Sequence, residues 1–181
     1  MSSTGPAWAL HEAAIADDQA VPHARSKVQS RRPMRQPRRV LYLCTGNSAR
    51  SQLAEAIVNA RLGSEWQAQS AGTHPAGYVH PQAVRALAEI GIEHHGRSKS
   101  VDEMRDIRFD LVVTVCDSAA EECPLWLGPG RRVHLGYPDP AKAPGADDDR
   151  MAAFRQVRDG MIQSLPTLLG GATPATEPSS L

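Results

Sequence analysis

The chain has 181 residues, 41% of them hydrophobic and only 4% aromatic, which suits one core of Leu, Val, Ile and Ala with tails. Twenty basic residues balance 20 acidic ones, which argues against a strongly basic nucleic-acid binder, and no apolar run nears the ~18–20 residues that span a bilayer. Three cysteines and no apolar signal region argue against a secreted disulfide scaffold, so a cytoplasmic location, a monomer and no membrane or nucleic-acid partner are expected.

The neutral total joins two unlike parts. Residues 1–39 hold seven basic residues (Arg25, Lys27, Arg31, Arg32, Arg35, Arg38, Arg39) against Glu12, Asp17 and Asp18, leaving +4 there and −4 on the rest. Residues 1–37 show no helical or strand period and read as a disordered basic leader. Val40-Leu-Tyr-Leu43 is a short apolar run suited to a buried strand. Leu53, Ala54, Ile57, Val58 and Leu62 give a helical period over 51–62. A second strand is expected over 66–70, and a second helix over 81–90 with Gly91 as its stop. Asp110-Leu-Val-Val-Thr-Val115 is the clearest buried strand, and 132–135 a weaker fourth. Asp147 to Leu169 closes the domain as a long helix whose first-turn acids suit its dipole. Residues 170–181 read as a disordered tail. Strands alternating with helices over 38–169 imply an α/β three-layer sandwich around a four-stranded parallel sheet.

The chemistry concentrates where the first strand meets the first helix, at Cys44-Thr-Gly-Asn-Ser-Ala-Arg50-Ser51. A loop entering a helix N-terminus points several backbone N–H groups at one spot. Thr45, Gly46, Asn47, Ser48, Ala49 and Arg50 are the expected oxyanion binders. Gly46 would allow close backbone approach, and Asn47 a left-handed loop conformation. Arg50 would add a planar fork for a tetrahedral oxyanion. Such a positive field favours a thiolate at Cys44, a nucleophile that Ser51 can hold by a hydrogen bond. Displacing an oxygen needs an acid, and Asp139 in Tyr137-Pro-Asp-Pro140 is the candidate, with His74 and His134 as competitors. The seven histidines form no metal-ligand pattern, so no metal is expected.

These motifs, with Ser70-Ala-Gly72, Arg97-Ser-Lys-Ser100, Cys116-Asp-Ser-Ala-Ala-Glu-Glu-Cys123-Pro124 and His134-Leu-Gly-Tyr-Pro-Asp139-Pro, resemble the low-molecular-weight protein tyrosine phosphatase fold. Within that fold they resemble the arsenate reductases that recycle through an intramolecular disulfide. The resemblance implies a relay. Cys44 forms a covalent arseno-thioester, Cys116 resolves it and releases arsenite, and Cys123 carries the disulfide outward. It also implies a thiol reductant, with thioredoxin expected and glutaredoxin with glutathione, or mycothiol, as alternatives. Phosphate and sulfate would compete with arsenate. The alternative is a phosphatase that hydrolyses phosphomonoesters through a Cys44 phosphoenzyme.

Two consequences follow. Residues seven apart on a helix lie ~10.5 Å apart, beyond the ~7 Å that a disulfide allows, so 116–128 would change shape with redox state, hinged at Gly128-Pro-Gly130. Some members bind potassium through an Asn, a Glu, a Ser and an Asp. Asn47, Glu55 and Ser70 match the first three, but Lys99 stands at the fourth and its ammonium would replace the cation.

Overall fold

The computed structural model describes residues 36–115, 128 and 130–170, and the domain is built within that span. The expected leader and tail lie outside it apart from residues 36–37 and 170, as do residues 116–127 with Cys116 and Cys123, and Pro129 of the expected hinge.

Four parallel strands, β1 (Arg38–Cys44), β2 (Trp66–Gly72), β3 (Leu111–Thr114) and β4 (Arg131–His134), form one sheet in the order β2-β1-β3-β4. Strand β1 is central, with Cys44 beside Gly72 on one side and Leu43 beside Thr114 on the other. From Val40 to Cys44 it is buried throughout, because alternate side chains meet different layers. Val40 and Tyr42 pack with α1 (Arg50–Arg61), α2 (Pro81–Ala88) and α3 (Asp147–Gly170). Leu41 and Leu43 pack on the opposite face with Met104, Phe109 and Val112. Met104 belongs to a 3-10 turn over Val101–Met104, which opens with a capping box of Ser100 and Glu103. Three layers result, as the strand–helix alternation implies. The edge strand β4 leaves Arg131 and Arg132 exposed, which discourages pairing with another chain.

The expected elements are present with small shifts at their ends. The second helix stops at Ala88 rather than Ile90, but its cap uses the expected glycine. Gly91 takes φ 75, its N–H donates to Ala88 O, and Ile92 N–H donates to Leu87 O. Arg155 and Arg158 of α3 both bond Glu89, which binds the end of α2 to α3 and draws the Glu89 carboxyl down to about 2. No helix among the described residues is long and apolar enough to cross a membrane.

Candidate active site

Cys44 ends β1, and the loop 45–49 carries the chain into α1, so the site lies at the carboxyl edge of the sheet where open α/β folds place their ligands. The loop is held from outside by its carbonyls. Thr73 N–H donates to Cys44 O, His74 N–H to Thr45 O, Ala76 N–H to Gly46 O and His80 N–H to Ser48 O. Ser98 Oγ adds a bond to Gly46 O at 3.1 Å, and Gln52 Nε2 one to Asn47 O at 3.1 Å. With the carbonyls of 44–48 engaged this way, the amide side of the loop is left for an anion. Ala49, the N-cap of α1, has no side-chain oxygen to compete for the first-turn amides.

Asn47, at φ 44, is the left-handed residue of this loop. At Gly46 a Cβ would meet only Ala76 Cβ, at 3.8 Å, so protein packing does not call for glycine there. The required glycine is Gly72 on the neighbouring strand. A Cβ on it would lie 2.5 Å from Thr45 O and 2.9 Å from Asn47 N.

The Cys44 thiol is 2% exposed and free of any disulfide. Its sulfur accepts the Asn47 N–H at 3.2 Å and lies 2.9 Å from Ser51 Oγ. Ser51 Oγ in turn accepts Asn47 Nδ2 at 2.8 Å. The hydroxyl proton of Ser51 is therefore available to the sulfur, an arrangement that supports a thiolate.

Arg50 reaches across the mouth of the site. Its guanidinium donates to Tyr137 O at 3.1 Å and to Asp139 Oδ2 at 3.2 Å. Asp139 Oδ1 accepts the Ala141 N–H, capping a 3-10 turn over Pro140–Lys142. The flanking prolines thus fix one carboxylate beside the anion loop. Cys44 and Ser51 thus meet through a hydrogen bond, and Arg50 and Asp139 through an ion pair. The competing acids sit otherwise: His134 Nδ1 bonds Thr114 Oγ1 at 2.8 Å on the sheet edge, and His74 serves the loop through its backbone.

The residues matched to a potassium site converge too. Asn47 Nδ2 donates to Ser70 Oγ at 2.8 Å, and Ser70 Oγ donates to Glu55. Lys99 Nζ lies 3.1 Å from Glu55 Oε2, with only 12% and 15% of the two side chains exposed. Asn47 turns its amide nitrogen, not its oxygen, toward Ser70, and Lys99 supplies the positive charge. This donor set does not fit a potassium ion.

Sequence reasoning named His74, Lys99 and the run 97–100 but did not foresee that two loops hold the anion loop in place. Residues 73–80 carry the outer bonds to the anion loop, and His80 caps α2 while stacking on Phe154 at 4.7 Å. Residues 94–100 clamp its back, where Lys99 N–H donates to Asn47 Oδ1 at 2.7 Å. The signals available for them were Gly72 and Gly96, small residues beside the loop's partners.

A profile of the low molecular weight phosphotyrosine protein phosphatase family matches residues 39–176. The chain is 46% identical over 129 residues to an arsenate reductase of Halalkalibacterium halodurans, covering 71% of this chain and 92% of that one. It is 40% identical over 121 residues to an arsenate reductase of Bacillus subtilis, covering 66% and 86%. Among solved structures, an arsenate reductase from Archaeoglobus fulgidus matches with a TM-score of 0.57 at 34% identity, covering 72% of this chain and 98% of that one. An arginine phosphatase from Geobacillus stearothermophilus matches in fold, with a TM-score of 0.60 at 24% identity over 74% and 92%.

Proposed function

This chain belongs to the low molecular weight phosphotyrosine protein phosphatase family, and we propose that it is an arsenate reductase within it. One observation carries the proposal. A buried thiol with two hydrogen-bond donors sits under an anion loop, beside an Arg–Asp pair, in a chain 46% identical to an arsenate reductase.

The chemistry runs in balanced steps. Cys44 thiolate attacks the arsenic of arsenate, and an oxygen leaves as water after Asp139 gives it a proton. Arsenic remains pentavalent at this stage. Arg50 and the loop amides hold the remaining oxygens and their charge. Cys116 thiolate then attacks the Cys44 sulfur. The S–As bond breaks with its electron pair going to arsenic, which leaves as arsenite, and a Cys44–Cys116 disulfide forms. Cys123 thiolate attacks the Cys116 sulfur, frees Cys44 and forms a Cys116–Cys123 disulfide. A dithiol of the thioredoxin class reduces that bridge. Glutaredoxin with glutathione, or mycothiol, would serve the same step.

A second reading is favoured by the family itself: water attacks a Cys44 phosphoenzyme, making the protein a phosphatase. The two separate by measurement. Arsenate should drive NADPH oxidation in the presence of thioredoxin and its reductase. Cys44→Ser should abolish that turnover. Cys116→Ser and Cys123→Ser should stop multiple turnover yet spare phosphate release from a small aryl phosphate. Arsenate-dependent turnover in Cys123→Ser equal to the native rate would reject the relay, and phosphate release without arsenite formation would favour the phosphatase.

A further inference from the structure

A hydrogen-bond chain leads from the back of the site to the nucleophile, and the proposed mechanism leaves its far end unused. Gln52, in the first turn of α1, is fully buried. Its Nε2 has three acceptors: Asn47 O at 3.1 Å, Asn47 Oδ1 at 3.0 Å and Arg97 O at 2.8 Å. Two of these are backbone carbonyls, so the amide cannot be reversed without setting oxygen against oxygen. Gln52 Oε1 must therefore face the other way, 2.6 Å from His94 Nε2. An amide oxygen only accepts, so His94 donates from Nε2. Burial holds the His94 ring below the ordinary histidine range, which keeps it neutral with its single proton on that nitrogen.

Gln52 thus grips the main chain and the side chain of one left-handed residue at once. Both donors to the sulfur depend on that residue. The Asn47 N–H bonds Cys44 Sγ directly, and Asn47 Nδ2 occupies the Ser51 oxygen, which sends the Ser51 proton to the sulfur. Each link points the same way: His94 to Gln52, Gln52 to Asn47, Asn47 to Ser51, Ser51 to Cys44. The packing is tight around the far end. A Cβ on Gly96 would lie 2.3 Å from both Gln52 Oε1 and His94 Nε2.

We propose that Gln52, oriented by His94, is a positioning residue that sets the hydrogen-bond polarity at the Cys44 sulfur and so its reactivity as a thiolate. This deepens the arsenate-reductase reading, but the thiol measurement below stands whether or not that reading holds. Gln52→Glu keeps the shape and replaces the donor by a carboxylate facing three acceptors. His94→Leu removes the outer donor from a half-buried position, His94→Gln restores an N–H there, and Gly96→Ala forces the pair apart.

The test follows alkylation of Cys44 by iodoacetamide in the reduced full-length protein as a function of pH, read on the Cys44 peptide by mass spectrometry. Thermal melting checks that each variant is folded. In Gln52→Glu, His94→Leu and Gly96→Ala the midpoint should move up by about one pH unit, with roughly tenfold slower alkylation on the acid side. His94→Gln should return to the native profile. Folded variants that melt lower but keep the native profile would reduce Gln52 to a packing role and overturn the proposal. So would a His94→Gln profile no better than that of His94→Leu. Should Gln52→Glu not fold, the His94 and Gly96 variants decide. A shifted profile in a protein that does not reduce arsenate would leave this proposal standing and remove the functional reading instead.

Discussion

The front and back of the anion loop are built on different terms. At the back, Asn47, Ser51, Gln52 and Ser70 are all fully buried and their amide groups each have several partners. At the front, Arg50 and Asp139 form a pair with 11% and 24% of their side chains exposed. Removing a partner inside the buried network strands a polar group away from water, at a cost of ~1–3 kcal/mol. The front pair is part-buried too, but it opens on the anion site, where an oxyanion can take the place of the carboxylate on the guanidinium. The back therefore holds a shape, and the front has partners it can give up. Arg50 can leave Asp139 for an arriving oxyanion at little expense, whereas Asn47 has nowhere else to go.

The largest effects should fall on activity at the front. Arg50→Lys replaces a planar fork by a point charge and should lower kcat/KM for arsenate by ~10²–10³-fold. Asp139→Asn removes the proton for the departing oxygen and should lower kcat by ~10²-fold or more. Both variants should melt close to the native protein, because Lys and Asn each keep a group that can hydrogen-bond the old partner. A large drop in melting temperature with near-native turnover would reverse the assignment of front and back.

A smaller, thermal effect tests the back. Lys99→Ala leaves the Glu55 carboxylate without its ammonium in a site only 15% exposed on the Glu55 side chain, and should lower the melting temperature by on the order of 5 °C. The native protein should melt at the same temperature in potassium and sodium chloride. A rise specific to potassium would mean that Lys99 does not fill the cation's role.

The front was easier to read in the sequence than the back. Cys44, Arg50 and Ser51 have fixed offsets at a strand–helix junction, and a motif of that kind carries its own geometry. Asp139 stood out because two prolines flank it. The strands were legible as apolar runs, and Gly91 was legible as a helix stop. The clamp on Asn47 was not, because it depends on contacts 45 and 52 residues away, at Arg97 and Lys99. Nothing in the local pattern of Gln52 marks it as buried, since polarity at the first turn of a helix ordinarily signals solvent. Gly72 stood out only as part of the Ser70-Ala-Gly72 motif, and it is the register of β2 on β1 that places it under Thr45 and Asn47. Local sequence specified the groups that act. The groups that hold them were set by tertiary packing.

The mildest test uses pH, and its sign follows from burial at the back. His94 and His80 are both held below the ordinary histidine value of 6.5, in each case chiefly by desolvation. The folded protein therefore resists protons that the unfolded chain accepts, and stability present above about pH 6.5 is lost as pH falls. His94 faces Glu55, Lys99 and His95, and His80 faces Asp139, Arg150 and Asp147, with the carboxylates opposing the shift and the other charges adding to it. Glu89, Glu103 and Asp159 have lowered values and lose their contribution only below their unfolded range near pH 4, so the two windows separate. The melting temperature should fall modestly between pH 7 and pH 5, and His94→Gln should flatten part of that fall because its amide donates without titrating. An unchanged slope in His94→Gln would show that protonation at His94 does not load the clamp. The pH dependence would then belong to His80 and the outer loop.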